Sequence, residues 1–157
     1  MLFLREIREF VAGHASHGHS LRIAQKVRGL VETDLGLGLL VEAVRGADGA
    51  LAPTVAKLIA TGAYDEAAQQ ALERFLDELL ECDIVIADLH ERNMVYARGA
   101  DGVPHFVMID GLGSSTLIPF KSWSRALNRR SKLKRIRRLR TRIARRIASF
   151  QAGKPLP

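Results

Sequence analysis

The stretch IVIADLHERNMVY, residues 84–96, carries the strongest indication of the fold. An apolar run ends at Asp88, the polar segment DLHERN follows, and a second apolar run begins at Met94. Short apolar runs separated by polar residues are typical of strands joined by a loop. The sequence therefore predicts a strand at residues 84–87, a polar loop, and a second strand at residues 94–97.

A third β segment is predicted at residues 105–109, after a turn at RGADG, residues 98–102. This segment ends in MIDG, so the carboxylate of Asp110 follows the strand directly. Strand, loop, strand, turn and strand would bring Asp110 close to the polar loop. We therefore expect the side chains of Asp88, Asn93 and Asp110 to converge.

The three side chains have the chemistry of a kinase-like site. Mg²⁺ prefers hard oxygen ligands such as carboxylates. Asp88 and Asn93 have the D-x-x-x-x-N spacing of a kinase catalytic loop, in which the Asp accepts the substrate proton and the Asn holds a metal ion. Asp110 would be the metal-binding Asp that follows. Each residue alone is also compatible with a structural turn, because Asp and Asn are common turn formers.

The remaining patterns predict a mixed α and β chain. Strands are expected at residues 27–33 and 37–44, joined across DLG, and a turn or linker at residues 45–49. Helices are expected at residues 2–11, 54–60 and 64–81. The last of these has an apolar stripe at three-to-four spacing, formed by Ala68, Leu72, Phe75, Leu76, Leu79 and Leu80.

Length and composition indicate one compact domain in a reducing compartment. A chain of 157 residues buries about 70% of its unfolded surface. The 47% hydrophobic and 26% charged fractions exclude a disordered chain and a disulfide scaffold. Cys82 has no second cysteine with which to pair. No apolar run approaches the ~20 residues of a membrane span, and the start MLFLREIREF is too short and acidic for a signal peptide. The expected location is cytoplasmic.

Charge divides the chain into two parts of opposite sign. Residues 1–110 carry 10 Lys/Arg and 17 Asp/Glu, a net −7, whereas residues 111–157 carry 14 Lys/Arg and no acidic residue. The net charge of +7 therefore conceals an acidic part and a basic part. The two parts should attract each other or bind different partners.

The basic part predicts a long amphipathic helix at residues 121–150. Thirteen Lys/Arg lie between Lys121 and Arg146. Apolar residues recur mostly at spacings of three and four, namely Trp123, Leu127, Leu133, Ile136, Leu139, Ile143, Ile147 and Phe150. Four interpretations remain open: the stripe docks on the core with its charges solvated, the basic face binds nucleic acid, it binds an anionic membrane surface, or it docks onto the acidic part of the chain.

Several motifs resemble the YrbL family of PhoP-regulatory-network proteins, which is related to the protein-kinase-like fold. They are REI at Arg5, GLVETDLGLG at residues 29–38, VRGADG at Val44, DLHERN at Asp88, and IDGLGSSTLIPFKSW at Ile109. The resemblance spans nearly the whole chain. It implies an α+β fold: an N-lobe remnant at residues 1–49, a kinase-like C-lobe at 50–120, and a basic helical region at 121–157.

The resemblance also implies roles for particular residues. Glu6 would lie where such folds carry the helix glutamate that pairs with an N-lobe lysine. Glu42 and Val44 would belong to the remnant next to the hinge and contact the nucleotide.

Within the polar loop, His90 would lie where kinase-like enzymes carry a phosphate-contacting Lys or His. Asp88 would be the catalytic base, and Asn93 and Asp110 the metal ligands. The implied cofactors are Mg²⁺ and ATP.

The sequence departs from the kinase pattern at identifiable positions. No glycine-rich phosphate loop or strand lysine precedes Arg5, Ile86 occupies the usual histidine position, and Gly111 follows Asp110 without an aromatic residue. The expectation is a kinase-like regulatory protein, non-catalytic or impaired in this short form, with an unidentified protein partner. An Mg-ATP-dependent phosphotransferase is the alternative, and binding of nucleic acid or a membrane surface by the basic region is the second alternative.

Overall fold

The structure, a computed structural model, describes residues 23–46, 48–82, 84–99, 102–111 and 125–153. The predicted helix at residues 2–11, which includes Glu6, lies outside the described residues. Trp123 and most of the IDGLGSSTLIPFKSW motif lie outside them as well.

The described residues form a mixed α and β structure. The elements in chain order are β1 (Val27–Thr33), β2 (Gly36–Val41), α1 (Val55–Ala60), α2 (Glu66–Glu81), β3 (Met94–Arg98), β4 (Pro104–Met108) and α3 (Arg125–Gln151). The strands form two separate antiparallel pairs, β1 with β2 and β3 with β4. The predicted α+β class is therefore confirmed.

The first strand pair is the predicted hairpin. Thr33 pairs with Gly36 across a tight turn, and Gly36 adopts a φ of 105°, a left-handed value that glycine tolerates well. β2 ends at Val41, earlier than predicted. The reason is that Val44 leaves the hairpin: its carbonyl accepts the amide of Ala52 at 3.0 Å, and its side chain packs on a small apolar cluster.

The second strand pair joins the two apolar runs that follow the polar loop. Met94 pairs with Met108 and Arg98 with Pro104, and the amide of Gly99 donates to the carbonyl of Val103 at 3.1 Å in the predicted turn. Residues 23–25 run beside β4, where the amide of Met108 donates to the carbonyl of Ile23 at 2.8 Å. The predicted strands at residues 94–97 and 105–109 are confirmed to within one residue.

The predicted strand at residues 84–87 is wrong. These four residues form no regular strand, although Ile84, Val85 and Ile86 are all buried. The backbone is held at its end, where the amide of Ala87 donates to the carbonyl of Gly111 at 2.8 Å. A short apolar run indicates burial, and periodicity alone does not establish a strand.

The two shorter helices begin at side chains that cap them. Thr54 Oγ1 accepts the amide of Lys57 at 3.1 Å, and Asp65 Oδ1 accepts the amide of Ala68 at 2.8 Å. Such N-caps satisfy amides that have no partner within the helix. Both predicted helices are thus confirmed, and the apolar face of α2 is buried along its length, with Leu80 only partly buried.

The main core lies between α2, the β3–β4 pair and α3. Its most deeply buried side chains include Phe106, Met94, Met108 and Leu139. Burial of each large apolar side chain contributes about 1.5–3 kcal/mol. The core therefore fixes the ends of β3 and β4, next to which the polar loop and Asp110 lie.

Residues 125–151 of the basic region form the helix α3, whose apolar stripe is confirmed only in part. Ile136, Leu139 and Ile143 are buried, whereas Leu127 and Leu133 are exposed. In the first half of α3 the inward side chains are Asn128 and Lys132, because this face meets two backbone carbonyls, that of Leu79 near the end of α2 and that of Ile84 just after the helix. None of the described helices has the length and apolar character that crossing a membrane requires.

Candidate functional site

The polar loop brings Asp88 and Asn93 into contact. Asn93 Nδ2 donates a hydrogen bond to Asp88 Oδ2 at 3.3 Å. The loop is closed by a backbone hydrogen bond from the amide of Asn93 to the carbonyl of His90 at 2.9 Å, after which β3 begins at Met94. The first part of the predicted convergence is therefore observed.

The segment after β4 joins this loop through backbone contacts. The amide of Ile109 donates to the carbonyl of Asn93 at 2.9 Å, and the amide of Asp88 donates to the carbonyl of Gly111 at 3.1 Å. Gln25 Nε2 donates to the carbonyl of Ile109 at 2.7 Å. Asp110 therefore lies between two residues that are bonded to the ends of the polar loop.

Gly111 makes this close approach sterically feasible. It adopts a φ of 86°, and a Cβ at this position would lie 2.2 Å from the carbonyl oxygen of Asp88. Both the backbone conformation and the contact exclude a larger residue. The glycine of the IDG motif thus allows the backbone after β4 to contact the backbone of Asp88.

The oxygen atoms of this group suit a hard divalent cation. Asp88 and Asp110 are exposed and Asn93 is half-buried. Asp110 Oδ1 accepts the amide of Gly111, while the second carboxylate oxygens, Asp88 Oδ1 and Asp110 Oδ2, accept no hydrogen bond from any described residue. Two carboxylates and one amide match the small number of protein ligands that Mg²⁺ takes alongside phosphate and water. No cluster of three or more His, Cys, Asp or Glu suited to a metal occurs among the residues described.

Glu91 ties the same loop to the basic helix. Its side chain is only 1% exposed. Oε2 accepts a hydrogen bond from Arg142 Nε at 3.0 Å, and Oε1 forms an ion pair with Arg146 Nε at 2.9 Å. Arg142 also donates to the carbonyl of Leu89. A buried carboxylate needs such charge-assisted partners, because burial without them is costly. α3 therefore holds the loop that carries Asp88 and Asn93.

The surroundings of Glu91 favour its charged form. Burial alone would raise the pKa of Glu91, but a hydrogen bond from its own backbone amide, the charge of His90, and the hydrogen bond and charge of Arg142 together lower this pKa below its usual value. Glu91 is thus an anion at neutral pH, held between cationic side chains.

His90 lies in the loop with one ring nitrogen turned inward. Its Nδ1 accepts the amide of Arg92 at 3.3 Å and lies 3.4 Å from Glu91 Oε2. The contact of His90 with phosphate stays a prediction.

Arg135 of α3 places a further cation near Asp88. The side chain is half-buried, and its Nε is buried without a hydrogen-bond partner. Burial lowers the pKa of Arg135, the charge of Asp88 opposes this effect, and the charge of Arg138 adds to it. The basic helix thus contributes positive potential to the side of the site where Asp88 lies.

The residues assigned to the hinge occupy the neighbourhood of β2. Glu42 is exposed and pairs with Arg28 of β1. Val44 packs on the cluster of Ala52, Val95, Ala97 and Val107, against which Ile109 also packs. Val44 is therefore connected to the IDG segment through apolar contacts, whereas Glu42 has its described contact within the hairpin.

Sequence reasoning missed the residues that join α3 to the rest of the chain. Glu91, Arg142 and Arg146 were not predicted as site residues, although the charge division of the chain predicted attraction between its two parts. A finer signal exists: Arg142 and Arg146 are four residues apart and flank Ile143, so they share the side of the helix that turns toward the core.

Comparisons with known proteins place these motifs in context. The sequence model of the family described as PhoP regulatory network protein YrbL matches residues 2–144. The uncharacterized protein YrbL of Escherichia coli (strain K12) is 28% identical over 127 residues, which are 77% of this chain and 60% of that protein. The uncharacterized protein YrbL of Shigella flexneri matches to the same extent. The chain thus spans about 60% of the length of these curated relatives. No solved structure matches the chain.

Proposed function

Because the chain belongs to the family of the PhoP regulatory network protein YrbL, we propose that it is a kinase-like regulatory protein with an Mg²⁺ and ATP site at Asp88, Asn93 and Asp110. The main support is the hydrogen bond from Asn93 Nδ2 to Asp88 Oδ2 at 3.3 Å. Beside it lies the IDG segment, in which the carbonyl of Gly111 accepts a hydrogen bond from the amide of Asp88. Two motifs that are distant in sequence thereby supply one group of oxygen ligands.

The residues of the site have distinct roles in this proposal. Asn93 and Asp110 provide oxygen ligands, and Asp88 orients a hydroxyl group or accepts its proton. Asn93 and Asp110 would hold Mg²⁺, which would supply neutralisation of phosphate charge. His90 contacts phosphate in this proposal, and Glu91 keeps the loop in place through α3.

The proposed architecture assigns residues 50–120 to a kinase-like C-lobe. Support comes from α2 packed on the β3–β4 pair, with the polar loop before β3 and the IDG segment after β4. Residues 1–49 form an N-lobe remnant in this proposal, with Glu6, Glu42 and Val44 near the nucleotide. Residues 121–157 form the basic region.

Regulation without turnover is the primary proposal. Ile86 is buried at the position where kinases carry a histidine, so the usual polar support of the loop is replaced by apolar packing. In this chain Glu91 and the arginines of α3 supply the polar support instead. The partner that would bind the nucleotide-bound state in this proposal is a regulatory protein of unknown identity.

The alternative is an Mg-ATP-dependent phosphotransferase. It is favoured by one observation: the carboxylate of Asp88 is exposed, with one oxygen held by Asn93 and the other without a described hydrogen bond. A catalytic base needs such an accessible oxygen.

A thermal-melt experiment with Mg-ATP tests the site. Ligand at 100 times its dissociation constant adds about 2.7 kcal/mol, which corresponds to a rise of roughly 5–10 °C in Tm for a domain of this size. We expect this rise for the unaltered chain and for Asp77→Ala, an exposed acid of α2. We expect no rise for Asp110→Ala. A rise that persists in Asp110→Ala, or no rise at millimolar nucleotide, contradicts the proposed site.

Formation of ADP from ATP separates the two functions, because transfer of the γ-phosphoryl group to a hydroxyl group or to water leaves ADP in either case. The regulatory proposal expects binding without measurable ADP formation, and the phosphotransferase alternative expects ADP formation that Asp88→Asn abolishes while the Mg-ATP melting shift remains. ADP formation that survives in Asp88→Asn contradicts the assignment of Asp88 as the base.

A further inference from the structure

The outward face of α3 carries a row of exposed basic side chains. With 3.6 residues per turn, these positions lie on one side of the helix, opposite the buried Leu139 and Ile143. No Asp or Glu occurs anywhere in α3. We call the row the basic strip, and its members are Arg130, Lys134, Arg137, Arg138 and Arg145.

The side chains of the basic strip form no ion pairs within the described part of the protein. Arg129 and Arg140, which both lie on the side of α3 that faces α2, pair with Glu81 and Glu73. The basic side chains of the inner face are half-buried or buried against the core. No member of the strip forms an ion pair with another described residue, so its charges are available to an external partner.

We propose that the basic strip binds the phosphate backbone of duplex DNA. Like charges four residues apart, such as Arg130 with Lys134 and Lys134 with Arg138, destabilise a helix slightly, and a polyanion relieves this repulsion. Residues 130–145 span about 22 Å of helix, along which a duplex presents one phosphate per ~1.7 Å. Four of the strip's members are arginines, whose planar fork matches phosphate oxygens.

The structure disfavours two other polyanionic partners. A helix that lies in a membrane surface inserts its apolar face into lipid, but the apolar face of α3 is occupied by the core through Ile136, Leu139 and Ile143. Single-stranded nucleic acid is held by aromatic stacking, and the strip contains no aromatic residue. A purely cationic, rigid face instead suits contact with a regular phosphate backbone.

Binding to a fluorescent duplex DNA over a range of salt concentrations tests the proposal. The strip variant is Arg130→Gln, Arg137→Gln and Arg138→Gln in one chain. The control, Lys26→Gln, Lys57→Gln and Arg98→Gln, removes the same charge from exposed positions elsewhere. Neither variant replaces a residue of the site at Asp88, and the proposal does not rest on the function of that site.

The salt dependence gives a quantitative expectation. Contact with five phosphates gives a slope of about −4.5 in log K against log[salt], so affinity falls roughly 500-fold between 50 and 200 mM salt. The strip variant retains two contacts, for which the fall is about 12-fold, and the control behaves like the unaltered chain. Circular dichroism verifies that each variant is folded, and Lys134→Glu, a single change, provides a second weakened variant.

Three outcomes overturn the proposal. The first is equal loss of DNA affinity in the strip variant and the control, and the second is no binding of duplex DNA at 50 mM salt. The third is binding to vesicles of phosphatidylserine and phosphatidylcholine that is lost in the strip variant, with no binding to DNA. The last result would assign the strip to a membrane surface.

Discussion

Glu91 Oε2 accepts a hydrogen bond from Arg142 Nε at 3.0 Å, although the two residues are 51 positions apart in the chain. The contact joins the DLHERN loop to the middle of α3. Because Arg142 also donates to the carbonyl of Leu89, both the backbone and a side chain of the loop are held by the basic helix. The geometry at Asp88 and Asn93 therefore depends on α3 as well as on the adjacent strand β3.

Replacement of Glu91 by glutamine should destabilise the fold strongly. Glu91→Gln leaves Arg142 and Arg146 beside a neutral, buried amide. Loss of one partner of a buried ionic group costs about 3 kcal/mol. Urea unfolding at pH 7 measures the change in the free energy of unfolding.

The matched control is Glu81→Gln. Glu81 pairs with Arg129 at 3.3 Å, but both side chains are more than half exposed. Exposed pairs contribute at most about 1 kcal/mol. Equal changes in the free energy of unfolding for the two substitutions would show that burial of Glu91 adds nothing to the stability its ion pairs contribute.

The contribution of Glu91 should depend on pH in one direction. The pKa of Glu91 is lower in the folded protein than its usual value, which is about 4.3 in an unfolded chain. Its contribution is therefore fully present above the unfolded pKa and is lost as the pH falls through the folded pKa. The difference in the free energy of unfolding between the unaltered chain and Glu91→Gln should shrink between pH 5 and pH 3. A difference that grows on acidification would contradict this sign.

Lys132 should be important for the free energy of unfolding, although it lies in a helix rich in exposed basic residues. It is 1% exposed and donates to the carbonyls of Leu79 and Cys82 at the end of α2. α2 has no basic residue in its own last turn, so α3 supplies the cation that a helix C-terminus favours. Lys132→Met should cost about 2–3 kcal/mol, because it leaves both carbonyls without this donor.

The control for this substitution is Lys134→Met on the exposed face of the same helix. A surface change of this kind lies within about 0.5 kcal/mol. Thermal or urea unfolding of the two variants side by side gives the comparison. If Lys132→Met is as stable as Lys134→Met, the carbonyls at the end of α2 do not require the ammonium group.

Alanine at Gly111 should disrupt the candidate site. Gly111 and Gly102 adopt similar left-handed φ values of 86° and 73°. A Cβ at Gly111 would lie 2.2 Å from the carbonyl oxygen of Asp88, whereas a Cβ at Gly102 would meet no atom within 4 Å. Gly102→Ala should cost about 1 kcal/mol from backbone strain alone. Gly111→Ala should cost about 3 kcal/mol or more, since the overlap adds to the strain.

The same pair of variants tests the link between backbone contact and binding. We expect the Mg-ATP melting shift to survive in Gly102→Ala and to disappear in Gly111→Ala. Retention of the shift in Gly111→Ala would mean that the approach of the IDG segment to Asp88 is not needed for the site.

Local sequence patterns determined most of the elements that surround the site. The helices that begin after Thr54 and Asp65 and the turn before Gly36 are formed by residues within a few positions of one another, so the sequence alone predicted them. The spacing of Asp88 and Asn93 likewise predicted that these two side chains lie close together, and the structure joins them by a hydrogen bond. Backbone contacts of Ile109 and Gly111 bring the segment of Asp110 beside them, and the convergence of the Asp110 side chain with the other two stays a prediction. Their roles with Mg²⁺ and ATP stay predictions.

Only the tertiary structure decided which charged residues are buried. The sequence determined that the last helix would be basic and amphipathic, but nothing in its periodicity separates Lys132, which is 1% exposed, from the exposed Lys134. The buried residues 84–86 show the same limit, because an apolar run specifies burial without specifying a strand. A charged side chain is buried where another element supplies an oppositely charged partner. Glu91, for example, is buried against Arg142 of α3. That condition involves residues far apart in the chain, so only the folded arrangement can satisfy it.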